Sequence, residues 1–287
     1  MQNEFNSCIF ALSNDTFVFH AMINNLVDCE GLKFNVWLND VEELNRGAAE
    51  ERFDICKMSY HAFFHISDRY TMLRSGSALG YHNGPILVAP AGSRLASLQD
   101  DELTEELSRS KIAIPGKMTT GALLLKVAFP EAGNLYPVLF SEIGPGVMSG
   151  SYDAGVLIHE GRFTYRERGL ELLMDLGENW HSLTSMPVPL GGIAVSRRLE
   201  RETASRVARV LRRSIRFAME NPNISTEYVS CYAQEMEREI QKKHIELFVN
   251  NYTLDIGDEG EAAVQELLRR ASIADPQIIL RDELFIF

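Results

Sequence analysis

The amino-acid sequence predicts an α/β protein of two lobes, with a ligand cleft between the lobes and a helical C-terminal part. Three observations carry that expectation. Short apolar runs alternate with helical patterns through the first two thirds of the chain, as βαβ units around mostly parallel sheets require. The alternation pauses in a polar, acid- and serine-rich passage at 90–110 and then restarts. With 287 residues, 45% of them hydrophobic, the chain is long enough for two cores at about 150 residues per domain.

Residues 8–12 read as the first strand, 16–27 as a helix and 33–38 as a second strand. A short helix near 40–46 leads to a third strand at 54–58, and 84–89 is a further strand. After the polar passage, which reads as a crossing between lobes, come a strand at 111–114, a Pro115-Gly116 turn and a helix at 119–129 with Leu123, Leu124 and Val127 on one side. Strands follow at 135–140 and 154–158. The run 186–195 returns the chain, so the expected division is 1–90 plus 195–287 for lobe 1 and 91–194 for lobe 2. Beyond it, Ala204, Val207, Leu211, Ile215 and Ala218 mark a helix over 199–219, and Tyr228, Tyr232, Met236 and Ile240 recur every four residues in the next. A last helix over 258–271 opens with Asp258 and Glu261 at capping-box spacing. The Leu284-Phe285-Ile286-Phe287 tail either packs against a lobe or joins a partner subunit as a homodimer.

The 28 basic and 40 acidic residues give a net charge of -12, which argues against nucleic acid or an anionic membrane surface as partner and favours a small ligand. Eight arginines crowd 197–216, but Glu200, Glu202 and an apolar stripe interleave with them, as on a solvated helix face. The four cysteines are scattered without a CxxC pair and read as reduced structural thiols. No basic, apolar leader opens the chain and no apolar run reaches about 18 residues, so a cytoplasmic location is expected.

The apolar run 154–158 ends abruptly in His159-Glu160-Gly161. Ligands of open α/β sheets collect at the carboxyl ends of strands, so His159 is either a catalytic base facing the cleft or a strand-end histidine bonded to backbone. Glu160 either orients His159 or, by strand alternation, faces solvent, the reading favoured here. The two halves echo each other: Phe53-Asp54 precedes a strand ending at Ser59, and Tyr152-Asp153 one ending at His159. Such a repeat places Ser59 and His159 on facing edges of the cleft.

Asn14-Asp15-Thr16 stands where a strand turns into a helix, a place for an anion or simply for Asp15 to cap the helix. Pro115 to Gly121 forms the matching turn, where Thr119 and Thr120 either face a carboxylate or sugar hydroxyl or serve as caps; GxxxxGK[ST] spacing is absent. Lys57-Met58-Ser59 closes the third strand, and a lysine buried there needs a partner or a ligand carboxylate. His61 and His65 lie four apart without the glutamate of HExxH, so no metal is expected, and neither GxSxG nor GxGxxG occurs.

SNDTFVFHA at 13–21, DICKMSYHA at 54–62, GPILVA at 84–89, PGKMTTG at 115–121, DAGVLIHEGRFTY at 153–165 and PVPLGGIAVSR at 187–197 together resemble the 1,4-dihydroxy-6-naphthoate synthases of the futalosine route to menaquinone. The likeness spans most of the chain in order. It departs at the turn before Asn14, where Phe10-Ala11-Leu12-Ser13 replaces the family's usual Ser-Pro-Cys-Pro. The resemblance implies a fold similar to type II periplasmic binding proteins, with a small substrate bearing a carboxylate and sugar-derived hydroxyls between the lobes. It implies a lyase that converts cyclic dehypoxanthinylfutalosine to 1,4-dihydroxy-6-naphthoate and dihydroxyacetone without metal or organic cofactor. By motif, His159 is the implied proton acceptor, and Lys57, Met58, Ser59, Thr119 and Thr120 hold substrate together with the Asp15-Thr16 turn. Two other functions share the fold: a non-catalytic solute receptor, and the related chorismate dehydratase.

Overall fold

The computed structural model describes residues 4–10, 12–232 and 237–287. Its strands in chain order are β1 (Glu4–Phe10), β2 (Lys33–Asn39), β3 (Ile55–Ser59), β4 (Tyr70–Leu73), β5 (Ala78–Gly80), β6 (Ile86–Pro90), β7 (Ile112–Ile114), β8 (Leu135–Pro137), β9 (Ala154–Leu157), β10 (Leu170–Asp175), β11 (Val188–Ser196) and β12 (Phe285–Ile286). They form two sheets. The first has the order β12-β4-β11-β3-β1-β2, with β5 also paired to β11; the second has the order β10-β6-β9-β7-β8. The two-lobed α/β architecture is as the sequence predicts.

Each sheet is built around a parallel pair buried on both faces. β3 lies parallel to β1, β9 parallel to β7, and every residue of β3 and β9 is buried, which is why both read as unbroken apolar runs. The aspartates before these strands do equivalent jobs. Asp54 accepts the Asn6 backbone N–H at 3.0 Å and Asp153 that of Lys111 at 2.7 Å, each fixing the start of a strand against its parallel neighbour. The echo read in the sequence is therefore an echo in the fold.

Sheet membership departs from the expected lobe boundaries. β6, expected in the first lobe, lies antiparallel between β9 and β10 in the second sheet; β11, expected in the second, pairs antiparallel with β3, β4 and β5 in the first. The polypeptide thus passes between lobes just before Ile86 and just before Val188. The polar passage at 90–110 is no crossing: it holds the helices Arg94–Ser97 and Asp100–Arg109, the latter burying Leu103 and Leu107 on one side. Residues after Pro137 leave the expected strand and form the helix Phe140–Met148, whose Pro145 hides it from a propensity reading.

The amphipathic helix Arg201–Glu220 packs Val207, Leu211 and Ile215 against the helix Ser13–Ile23 and the first sheet. The expected single helix through Tyr228 and Ile240 is instead two, Thr226–Tyr232 and Arg238–Phe248; Met236 lies outside the described residues. The last helix, Gly257–Ala274, has no capping box, because Asp255 accepts the Gly257 N–H and Glu261 pairs with Arg74. The tail settles on its own lobe: β12 extends the first sheet beside β4, with Leu284 buried. Among the described residues no helix is long and apolar enough to cross a membrane.

Candidate active site

A cavity opens between the lobes, lined among others by Asn14, Lys57, Ser59, Asn83, Thr119, Thr120, His159 and Phe248. Its lining converges from the carboxyl ends of β3 and β9 and from the helix starts that follow β1 and β7.

His159 is placed by an unusual backbone turn. β9 ends at Leu157, and His159 takes φ 55, in the left-handed region that costs an ordinary side chain about 1–2 kcal/mol. The turn directs its imidazole into the cavity, edge-on to the Phe140 ring at 5.4 Å and the His244 ring at 6.0 Å. Burial, helped by the nearby Lys57 ammonium, holds His159 down at about 3, so it stands as a neutral imidazole. Glu160 does not face solvent as strand alternation suggested. The strand has already ended, Glu160 stands buried at the N-cap position of the helix Gly161–Thr164, and its Oε1 lies 4.0 Å from His244 Nδ1.

Lys57 lines the cavity from β3, where its side chain is 4% exposed and its Nζ sits 3.1 Å from Asp15 Oδ1 and 3.2 Å from the Gly76 carbonyl. Burying an ammonium in a central strand requires such a partner, and Asp15 supplies it. Asp15 is therefore neither the helix cap nor the ligand contact of the sequence reading: it lies behind the wall, and its helix has no side-chain cap. Thr16 and Met58 also stand off the cavity. Thr16 gives its hydroxyl to the Leu12 carbonyl, and Met58 packs fully into the core. Asn14, their neighbour, is the residue of that turn that reaches the cavity.

Ser59 is held by Asn45, which accepts its backbone N–H at 3.0 Å and donates to Oγ at 3.3 Å. Thr119 caps the helix Thr120–Ala128, its Oγ1 accepting from Ala122 N and donating to the Gly116 carbonyl, so the capping alternative holds for its hydroxyl. The Thr120 hydroxyl is also engaged, donating to the Leu190 carbonyl at 2.6 Å. The groups this turn leaves for a ligand are the first-turn backbone N–H groups of Thr120 and Gly121, which have no intrahelical partner and suit a carboxylate. His61 bonds the Thr119 carbonyl, and no group of three or more His, Cys, Asp or Glu side chains placed to hold a metal gathers among the described residues.

Lys57, Ser59, Thr119, Thr120 and His159 thus meet at one cavity; the sequence names Asn14 only as part of the anion turn and Glu160 only as the alternative to solvent, and it gives no sign of Asn83 or of His244, whose Nδ1 lies 4.0 Å from Glu160. A family model described as menaquinone biosynthesis matches residues 8–272. The chain belongs to this family. Among curated members, 1,4-dihydroxy-6-naphthoate synthase of Thermus thermophilus is 36% identical over 258 residues, covering 90% of each chain. That of Streptomyces coelicolor is 35% identical over 264 residues, covering 90% of this chain and 89% of its own. A solved protein of Archaeoglobus fulgidus superposes with TM-score 0.86 at 33% identity, over 95% of this chain and 98% of the other. A Candida albicans protein described as having the generic periplasmic binding protein fold superposes with TM-score 0.73 at 11% identity, over 99% of this chain and 96% of its own; that likeness concerns fold alone. As a member of the menaquinone-biosynthesis family, the chain holds its cavity in the interlobe position of a two-lobed binding-protein fold.

Proposed function

We propose that this protein is a carbon–carbon lyase that converts cyclic dehypoxanthinylfutalosine to 1,4-dihydroxy-6-naphthoate, releasing dihydroxyacetone, with His159 as general base. The observation that carries the reading is His159 itself, a neutral imidazole turned into an interlobe cavity at the end of β9. A base must be unprotonated when substrate arrives, and burial beside the Lys57 charge keeps it so. Once the proton is taken, cleavage of the bond to the three-carbon fragment is driven by aromatisation of the bicyclic product. The amides of Thr120 and Gly121 would hold the substrate carboxylate, and Ser59 and Asn14 its hydroxyls. The two relatives named for this synthase support the same reading.

Incubating the purified protein with cyclic dehypoxanthinylfutalosine is expected to yield the naphthoate, detected by its absorbance and mass. His159→Ala is expected to lower turnover at least 100-fold, as loss of a general base does, while substrate still binds by calorimetry. Full activity in the variant would reject the base assignment. Conversion of chorismate in place of this substrate would mark the protein as the related dehydratase, and tight binding of substrate without product would mark a receptor.

A further inference from the structure

Asn83 lies in the segment that leads from the first sheet into β6, is 1% exposed, and lines the cavity. Neither its Nδ2 nor its Oδ1 has a hydrogen-bond partner among the described residues. A buried amide left so is costly, and a fold keeps one where a ligand completes it. Its neighbour shows the contrast. The Asn250 amide flanks the same Gly80, yet donates to the Leu79 carbonyl at 2.9 Å and accepts from Tyr252 N at 2.9 Å, so it is spent on the fold.

Asn14 adds the chemistry of the group to be met. Its Nδ2 donates to the Asp15 carboxylate at 3.1 Å, which fixes the orientation of the amide and leaves Oδ1, on a residue that lines the cavity, as a buried acceptor with no partner among the described residues. A carboxylate would be repelled by that oxygen; a hydroxyl would donate to it. Asn83, with both donor and acceptor unspent, can serve a hydroxyl in either sense.

We propose that Asn83 is a specificity-determining residue that, beside Asn14 Oδ1, hydrogen-bonds a hydroxyl of the ligand's sugar-derived part. This rests on the lyase reading above and adds to it a residue that sets affinity for the hydroxylated portion without taking part in proton transfer. Selection by such a site comes from leaving its buried polar groups unpaired when the wrong ligand binds.

The test compares wild type with Asn83→Leu, of similar shape but apolar, and Asn83→Ala, smaller and compatible with the same backbone. With cyclic dehypoxanthinylfutalosine, KM is expected to rise about 10-fold in both variants, kcat to stay within about threefold, and the melting temperature of the leucine variant to equal or exceed that of wild type. A KM within twofold of wild type in a folded variant would overturn the proposal and leave the lyase reading intact. A KM rise matched by loss of thermal stability in both variants would also overturn it, marking the amide as a support of the crossing segment. If wild type gives no turnover, the lyase reading falls and this proposal falls with it.

Discussion

At His159 the fold spends backbone strain to aim one imidazole, and the same burial sets two pH responses. In the unfolded chain a histidine titrates near 6.5, whereas burial holds His159 at about 3, His61 at about 4 and His244 well below 6.5. Below about pH 6.5 the unfolded chain therefore binds more protons than the folded one. The stabilising effect of keeping these rings neutral is complete above pH 6.5 and is lost progressively as pH falls toward 3. Denaturant titrations from pH 7 to pH 4 should show falling stability, with a shallower fall in His244→Phe. For the same reason kcat/KM should show no acid limb near pH 6.5; a limb there would reject a depressed His159. The Lys57–Asp15 pair makes a separate prediction. Asp15→Asn leaves the Lys57 ammonium buried with a neutral neighbour, and breaking such a pair costs about 3–5 kcal/mol, measurable as a lower chemical-denaturation midpoint at unchanged slope.

Elements differ in how plainly the sequence announces them. β3 and β9 are legible because a strand buried on both faces is written as a continuous apolar run, and their preceding aspartates mark the register against β1 and β7. β4 and β5 are four and three residues long, too short for a periodicity, and exist because β11 offers them an edge. β6 shows what local pattern does not encode, since its apolar run fits either sheet and only its antiparallel partners β9 and β10 decide. The site divides the same way. Ser59 and His159 were visible as strand-end residues, whereas Asn83, in an Asn-Gly-Pro turn, reads as plain turn chemistry until the fold puts it against a cavity. The crossing segment also depends on one close approach: a Cβ on Gly177 would stand 2.7 Å from Gly84 Cα. Gly177→Ala should therefore cost about 1–3 kcal/mol of stability, and a melting curve identical to wild type would show that the two backbones can part without penalty.

Across the whole molecule, the lobes are tied by bonds at one rim of the cavity. Glu42 and Asn45, from the first lobe, bond Lys117 N at 3.1 Å and the Met118 carbonyl at 3.5 Å, beside the Thr120 hydroxyl's bond to Leu190 of β11. Burial pushes the Glu42 carboxyl above the usual carboxylate range. Removing one of these ties should shift any balance between open and closed lobes toward the open side. Glu42→Ala is expected to raise the radius of gyration of the free protein in X-ray scattering and to weaken substrate binding several-fold; an unchanged radius would show that other contacts hold the lobes together.

The placement of β11 reaches further, into how the chain comes to be folded at all. The second sheet is one uninterrupted stretch from β6 to β10, while the first waits for β11 to cover one edge of β3 and for β12 to flank β4. During synthesis at about 5–20 residues per second, roughly ten seconds separate the emergence of β3 from that of β11. The strands of the half begun later are thus all made first, and the edge of β3 that β11 covers stays open meanwhile. A chain truncated just before Val188 and released from the ribosome should carry a protease-resistant second lobe beside a first lobe that is still cut.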